Sequence, residues 1–367
     1  MQSGAELVTG MHTRVDVMSL QSSLRLPQMP EPFKVASLRW GIIGPGEIAD
    51  RFVSSVQRFT GQRIVAVASR DFNRASAFAQ KHAIAKVFSS YDELFADPEI
   101  DAVYVSTRQH AHKEPVIAAI KAGKHVLVEK PIASTNEDAQ AILKAARLAN
   151  VLVMEALWSL YLPQAYIVRE LIADKVLGKI RYVQADLGQD QSKALRMWEP
   201  DGGGASHDMG VYPVSFIRSI TGASPSGITS AGSLSDRGVD VELNMLLSYQ
   251  NGITALASCS MLANTRTSAW VDGTAGSLEV LAPFPVPTTL NLLAPEFKPR
   301  VVASWTDRSE IQGHDGLCYQ ATAFADFVSQ GLTDSPIRSL DDAIKDIELL
   351  TVARHQIGAY YSGEKAN

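Results

Sequence analysis

The rhythm of hydrophobic and polar positions changes near Leu38 and again near Pro163. Between those points, short apolar runs alternate with stretches whose apolar residues recur every three or four positions. "LRWGIIG" reads as a buried strand, "EIADRFVSSVQRF" as an amphipathic helix, "RIVAVAS" as a second strand and "NRASAFAQKHA" as a second helix. The alternation continues through "YDELFAD", "IDAVYVS", "KEPVIAAIKAG", "HVLVEK", "NEDAQAILKAARLAN" and "VLVMEAL". Strands rich in β-branched residues, alternating with helices of about ten residues, predict βαβ units. The expected fold class is α/β, with an N-terminal Rossmann-type doubly wound parallel sheet over residues 38–158.

Beyond Pro163 the pattern loosens. A helical stretch, "QAYIVRELIADKV", stops at Gly178 and is followed by the strand-like "IRYVQADLG". A glycine run at 202–204 leads into a second helical stretch. Strands follow at "DVELNMLLSYQ", "GITALASCSM", "SAWVDGT" and "GSLEVLAP". Short turns such as Gln250-Asn251-Gly252 predict a large, mostly antiparallel open sheet, hence a C-terminal α+β domain over 159–367. Helical spacing returns in "CYQATAFADFVSQG" and "LDDAIKDIELLTVARHQIGAYY", and these helices are expected to pack back on the first domain. Residues 1–37 show no sustained periodicity and read as a loosely ordered extension or an over-long start.

Charge narrows the possible partners. A net charge of -5 and a pI of about 5.9 lack the basic footprint of a nucleic-acid binder. The only cysteines, Cys259 and Cys318, form no CxxC or Cys/His cluster, so neither a disulfide scaffold nor a metal site is expected. No apolar run approaches the roughly 18 residues of a membrane span, and no signal-peptide block is visible, so a cytoplasmic location without membrane partners is the expectation.

The first candidate chemistry lies straight after the first strand, in "GPGEIA". Gly44 permits a tight turn and Gly46 lets backbone approach a pyrophosphate, while the small Ala49 permits close helix packing. Pro45, Glu47 and Ile48 complete this cofactor-binding turn, and the helix N-terminus offers free N–H groups and a positive dipole end. The second strand ends in Ser69-Arg70 rather than in an acid. A hydroxyl and a guanidinium suit a 2′-phosphate, so NADP(H) is the expected cofactor. Asp71 leaves NAD(H) open, because it either takes the ribose or begins the next turn.

Other candidates also stand at the ends of predicted parallel strands, where open α/β sheets bind ligands. "HVLV" runs into Glu129-Lys130-Pro131. A charged pair and a proline could protect a sheet edge, or Lys130 could be a catalytic group with Glu129 against the cofactor. After "AVYV" comes "STRQHAH", in which Ser106, Thr107, Gln109 and His112 are candidate cofactor contacts and His110 a candidate substrate contact. In "GGGASHDMGVYPVSF", Asp208 and Tyr212 stand four apart and would share a helical face. A phenol needs a nearby cation to ionise near neutrality, and Lys130 could supply it. The plainer alternatives are a helix cap for Asp208 and a core position for Tyr212. His207, one position off that face, reads as structural.

These segments, with "YDELFADPEIDAVYVS", "AGKHVLVEKP" and "MEALW", resemble the glucose-fructose oxidoreductase / inositol dehydrogenase / MocA family from about Leu38 to Tyr361. The resemblance implies acid-base roles for Lys130, Asp208 and Tyr212, and dimers or tetramers built through the C-terminal sheet. Tyr212, where inositol-type enzymes carry His, is similar to the branch holding dimeric dihydrodiol dehydrogenase and NADP-dependent xylose dehydrogenase. The same branch implies substrate contacts for Trp158 and Arg196. Thr107-Arg108 and Leu160 depart from its usual residues, which points to altered substrate recognition. The activity implied is hydride transfer between NAD(P) and a hydroxyl-bearing carbon of a sugar or cyclic diol. Two alternatives on the same fold are a non-catalytic cofactor-binding sensor and an NAD-retaining glycosidase.

Overall fold

The structure is a computed structural model that describes residues 23–25, 27–200, 202–361 and 364. Its first sheet contains β1 (Arg39–Ile43), β2 (Arg63–Ala68), β3 (Lys86–Phe88), β4 (Ala102–Val105), β5 (His125–Glu129) and β6 (Val153–Ala156), in the order β3-β2-β1-β4-β5-β6. All its pairings are parallel. Five helices connect these strands: α1 (Glu47–Phe59), α2 (Phe72–His82), α3 (Tyr91–Ala96), α4 (Lys113–Lys121) and α5 (Asn136–Arg147). Strand order reverses direction between β1 and β4, which opens a crevice at their C-terminal ends.

Strand alternation sorts the side chains onto two cores. Trp40, Ile42, Tyr104, Leu127 and Met154 face one way, into a core that runs on through the second sheet. Ile43, Val103, Val105, Val126, Val128 and Val153 face the other, beneath α4 and α5. Since both faces are covered, these strands read as continuous apolar runs. β5 is hydrogen-bonded to β4 and β6, so Glu129-Lys130-Pro131 guards no edge.

A helix, α6 (Pro163–Ala173), leads to the second sheet. Its strands are β7 (Ile180–Gly188), β8 (Gly227–Leu234), β9 (Asp240–Ser248), β10 (Thr254–Ser260), β11 (Ala269–Gly273), β12 (Ser277–Val280), β13 (Thr289–Leu293) and β14 (Val301–Thr306). They lie in the order β14-β13-β12-β11-β7-β10-β9-β8. Every pair is antiparallel except β7 with β10. The Gln250-Asn251-Gly252 turn does join β9 to β10, with Gly252 at φ +82° and the Asn251 side chain accepting from the Ile253 N–H. The two edge strands, β8 and β14, and the adjoining β13 were not singled out from sequence.

One face of this sheet carries α7 (Val211–Thr221) and α9 (Leu340–Gln356), whereas α8 (Leu317–Ser329) packs on α1 of the first domain. α9 reaches both sheets, and α8 joins it on the first domain. Phe324 of α8 meets Trp40 of β1 with ring centroids 4.8 Å apart. The first half of α9 (Leu340, Ala343, Ile344, Ile347) belongs to the first domain's outer core, while Leu350 and Ala353 belong to the other. Leu24, Met29 and Val35 also pack on the larger core; residues 1–22 and 26 of the predicted N-terminal extension lie outside the described residues.

Candidate active site

The turn between β1 and α1 is shaped by its glycines. Gly44 sits at φ +81°, and a Cβ there would stand 2.8 Å from the Thr107 amide nitrogen. Only glycine therefore lets the β4 loop close over the turn. Ser106 completes the closure, its hydroxyl 2.9 Å from the Ile43 carbonyl and 3.0 Å from that of Gly44. At Gly46 an added Cβ would meet only the Arg74 guanidinium at 3.6 Å and the Gly44 carbonyl at 3.8 Å. No side chain caps α1 there. Free N–H groups thus face open space beside a guanidinium, which fits a dinucleotide pyrophosphate. Ile48 is half-buried behind the turn, whereas Glu47 is exposed and pairs with Arg51 at 2.6 Å.

Ser69 and Arg70 close β2, the first buried and the second exposed. Asp71 caps α2, accepting from the Arg74 N–H at 3.1 Å. Its place is therefore explained by the helix start. Arg74, one turn on, donates from Nε to the Pro45 carbonyl at 3.0 Å. Sequence reading passed over Arg74, whose guanidinium stands beside the glycine turn.

The loop after β4 spans the two domains. Arg108 pairs with Glu199 at 2.8 Å, Gln109 donates to the Gly202 carbonyl, and the exposed His110 lies 3.3 Å from where a Gly202 Cβ would be. Thr107 donates to the Ala111 carbonyl at 3.1 Å. His112 is turned inward, with Nδ1 3.2 Å from the Pro131 carbonyl and Nε2 3.0 Å from that of Thr107. Burial drives its pKa down to about 4, so this neutral ring fastens one loop to the next.

Lys130, Asp208 and Tyr212 come together across the domains. Ser206–Gly210 forms one π-helical turn directly ahead of α7, a local form that recurs at functional sites. Lys130 Nζ donates to the Asp208 carbonyl at 2.6 Å and to Oδ1 at 3.2 Å, and stands 5.1 Å from the centre of the Tyr212 ring. Trp158 Nε1 donates to the Tyr212 hydroxyl at 3.0 Å, and the Trp158 ring stacks on His314 at 5.6 Å. Arg196 reaches Asp208 Oδ2 at 3.4 Å from an exposed position at the rim. His207 is buried edge-on against Tyr361, its two ring nitrogens without partners.

Electrostatics sharpen the roles available. Burial works to lower the Lys130 ammonium, but Asp208, Tyr212 and Glu129 outweigh it and hold it above its ordinary value. Burial likewise pushes Asp208 up, and Lys130 and Arg196 override it, so the carboxylate stays ionised. For Tyr212 burial prevails. Lys130 pulls the phenol down, as the sequence suggests, yet the net shift is upward and the hydroxyl keeps its proton at neutral pH. Glu129 lies inside the fold rather than in the cleft: it accepts from the Tyr104 hydroxyl and the Lys130 N–H, and burial pushes it up to about 7.

Residues 38–157 match an oxidoreductase family with an NAD-binding Rossmann fold, and residues 167–279 match the GFO/IDH/MocA C-terminal domain. The chain belongs to the GFO/IDH/MocA oxidoreductase family. Among this family's members, the mouse (Mus musculus) trans-1,2-dihydrobenzene-1,2-diol dehydrogenase is 34% identical over 335 residues, which cover 90% of this chain and 99% of that one. The Xenopus tropicalis enzyme of the same name is 32% identical, covering 88% and 99%. A 3-ketoreductase from Actinomadura kijaniata, solved with NADP and TDP-benzene, superposes with a TM-score of 0.73 at 27% identity, covering 88% of this chain and 98% of that one. A levoglucosan dehydrogenase solved with NADH and levoglucosan shares the fold at a TM-score of 0.76 and 20% identity, covering 88% and 97%. Among the described residues, no helix of this family member is long and apolar enough to cross a membrane.

Proposed function

We propose that this protein is an NADP-preferring dehydrogenase that moves a hydride between the nicotinamide and a hydroxyl-bearing carbon of a cyclic diol or sugar. Residues 38–158 would hold the cofactor, and the domain from 159 onward would supply most of the substrate contacts. The observation that carries this reading is the Lys130 ammonium, held by Asp208 beside the Tyr212 ring at the C-terminal end of β5. A bound nicotinamide would supply the hydride acceptor or donor. The chain's own residues handle the proton.

Trp158 donates into the Tyr212 oxygen, which leaves the phenol proton free for a substrate oxygen. In reduction a neutral Tyr212 gives that proton to the forming alkoxide, and Lys130 and Trp158 stabilise the phenolate that results; in oxidation that phenolate takes a proton back from the substrate hydroxyl. Asp208 fixes Lys130, and Arg196 at the rim is available to substrate hydroxyls. The stacked Trp158 and His314 rings offer a flat wall suited to a six-membered ring. Dihydrobenzenediol in the relatives' names agrees with that shape. Ser69, Arg70 and Arg74 support NADP over NAD, as does the NADP bound to the 27% identical 3-ketoreductase. The outer face of the second sheet is the surface for a second copy of the chain.

Turnover is read at the nicotinamide band, with NADP and then NAD, against trans-1,2-dihydrobenzene-1,2-diol, aldoses and inositols. Tyr212→Phe should lower kcat by about 10²- to 10⁴-fold with cofactor affinity kept. Full turnover in that variant would sink the assignment. Sugar release without net NADP reduction would point instead to the glycosidase chemistry.

A further inference from the structure

Lys130 and Tyr212 come from different domains, so their spacing depends on whatever fixes one domain against the other. Behind them runs a chain of buried charges. Glu155 of β6 accepts the Ile132 N–H at 2.9 Å through Oε1, two residues beyond Lys130. Its Oε2 accepts from Arg338 Nε at 2.5 Å. Arg338 Nη1 donates to Asp346 Oδ2 at 2.7 Å, and Asp346 Oδ1 accepts from Arg218 Nε at 2.5 Å. Ser215 adds a hydroxyl donor to Asp346 Oδ2 at 2.8 Å. Ser215 and Arg218 stand on α7, the helix that Tyr212 opens.

The four charged side chains balance, two carboxylates against two guanidinia, and none is more than 7% exposed. Such a set costs desolvation and is not required for stability, since apolar residues of equal volume serve at least as well. What it supplies is direction. A guanidinium has a fixed fork, and that of Arg338 spans Glu155 of the first sheet and Asp346 of α9 at once. His112 holds the same turn after Lys130 from its other side.

We infer that Glu155, Arg338 and Asp346, with Ser215 and Arg218, form a buried strut that sets the Lys130 turn at a fixed distance from α7, making them positioning residues for the Lys130–Tyr212 pair. This rests on the acid-base reading of that pair. The strut touches neither substrate nor cofactor. A misplacement near 1 Å at reacting groups costs about 10²-fold in rate, so a strut of this kind governs kcat more than binding.

The test compares Arg338→Lys, whose single ammonium cannot serve both carboxylates, with the parent enzyme. Competitive acetylation of Lys130, read by mass spectrometry with Lys113 as internal reference, needs no substrate. Labelling of Lys130 should rise about threefold or more as its hold on Asp208 loosens. With NADP and trans-1,2-dihydrobenzene-1,2-diol, kcat should fall by about 10²-fold while the cofactor Kd stays within about twofold. In a Tyr212→Phe background the fall caused by Arg338→Lys should shrink below about threefold, because a misplaced partner no longer matters. Ser215→Ala, which removes one donor and keeps all three ion pairs, makes the same comparison in a mildly altered fold. Unchanged Lys130 labelling and unchanged kcat in a folded Arg338→Lys would overturn the strut. So would a loss that persists in full in the Tyr212→Phe background. Full turnover in Tyr212→Phe alone overturns the acid-base reading and leaves the labelling result to judge the strut.

Discussion

Glu129 illustrates how one buried acid links stability to pH. Its carboxyl is enclosed by the first domain, accepts from Tyr104 and feels the charges of Lys130 and Glu155. Burial raises it from an ordinary 4.5 to about 7, so the folded chain binds a proton there that the unfolded chain has released. Its contribution to stability is therefore full below about pH 4.5 and is lost as pH rises through about 7. About 3 to 4 kcal/mol is the ceiling for that loss, at 1.4 kcal/mol per tenfold change. Glu129→Gln keeps an acceptor for Tyr104 and has no proton to lose. The gap in urea midpoint between about pH 5 and about pH 8 should narrow in that variant at unchanged m-value. An equal gap in both proteins would show that the drop arises elsewhere. Above pH 7 the ionised Glu129 also strengthens the local field that keeps Lys130 charged.

At the scale of elements, the start of α2 carries the proposed preference for NADP. Asp71 is consumed as its cap, Arg70 directly precedes that cap, and Arg74 reaches the glycine turn. Arg70 is exposed, whereas Arg74 also holds the Pro45 carbonyl. Arg70→Ala should weaken NADP binding by about tenfold and leave NAD nearly unchanged, the loss expected for a charge-assisted contact to the 2′-phosphate. Arg74→Ala should weaken both cofactors, NADP more, because the turn itself loses a tie. Nicotinamide fluorescence titrations give both constants, and equal losses for NADP and NAD in Arg70→Ala would remove the case for NADP preference.

The same elements explain what sequence could and could not reveal. Lys130 was visible because β5 is a pure apolar run, so its charged stop stands out. Asp208 and Tyr212 were visible as a pair because four residues bring side chains together, and the π turn before α7 left that pairing intact. Arg338 and Asp346 were invisible. In "SPIRSLDDAIKD" nothing sets them apart from the neighbouring charges, and only the fold, by laying α9 against both β6 and α7, encloses them. The upward shift of Tyr212 was equally hidden, since burial by two domains leaves no local mark in either segment. β8 was missed because its Gly and Ser residues lack the β-branched content that marks a strand.

At the scale of the whole molecule, one face of the second sheet carries no helix among the described residues. The second sheet carries α7 on one side, and on the other a row runs from Asn291 through Glu279, Trp270, Gln184 and Leu256 to Leu246. Leu246 and Leu256 are neighbours in that row, 43% and 38% exposed, beside a hollow of about 450 Å³ lined by Thr229, Asn244 and Ser258. A flat face that mixes leucine and tryptophan with polar residues, Glu279 lying toward one end of the row, suits an interface with another chain. A second copy of this chain is the proposed occupant. A two-fold contact would repeat the same patch on both partners, so one substitution counts twice. Leu246→Lys with Leu256→Lys places four ammonium groups in the paired face and should convert a dimer to monomers by sedimentation velocity. Because the strut and the Lys130–Tyr212 pair lie within one chain, such a monomer should keep its kcat to within about threefold, the additivity expected of distant sites. A parent chain that already sediments as a monomer would remove the interface, and a monomeric variant without turnover would mean that the site is completed by its partner.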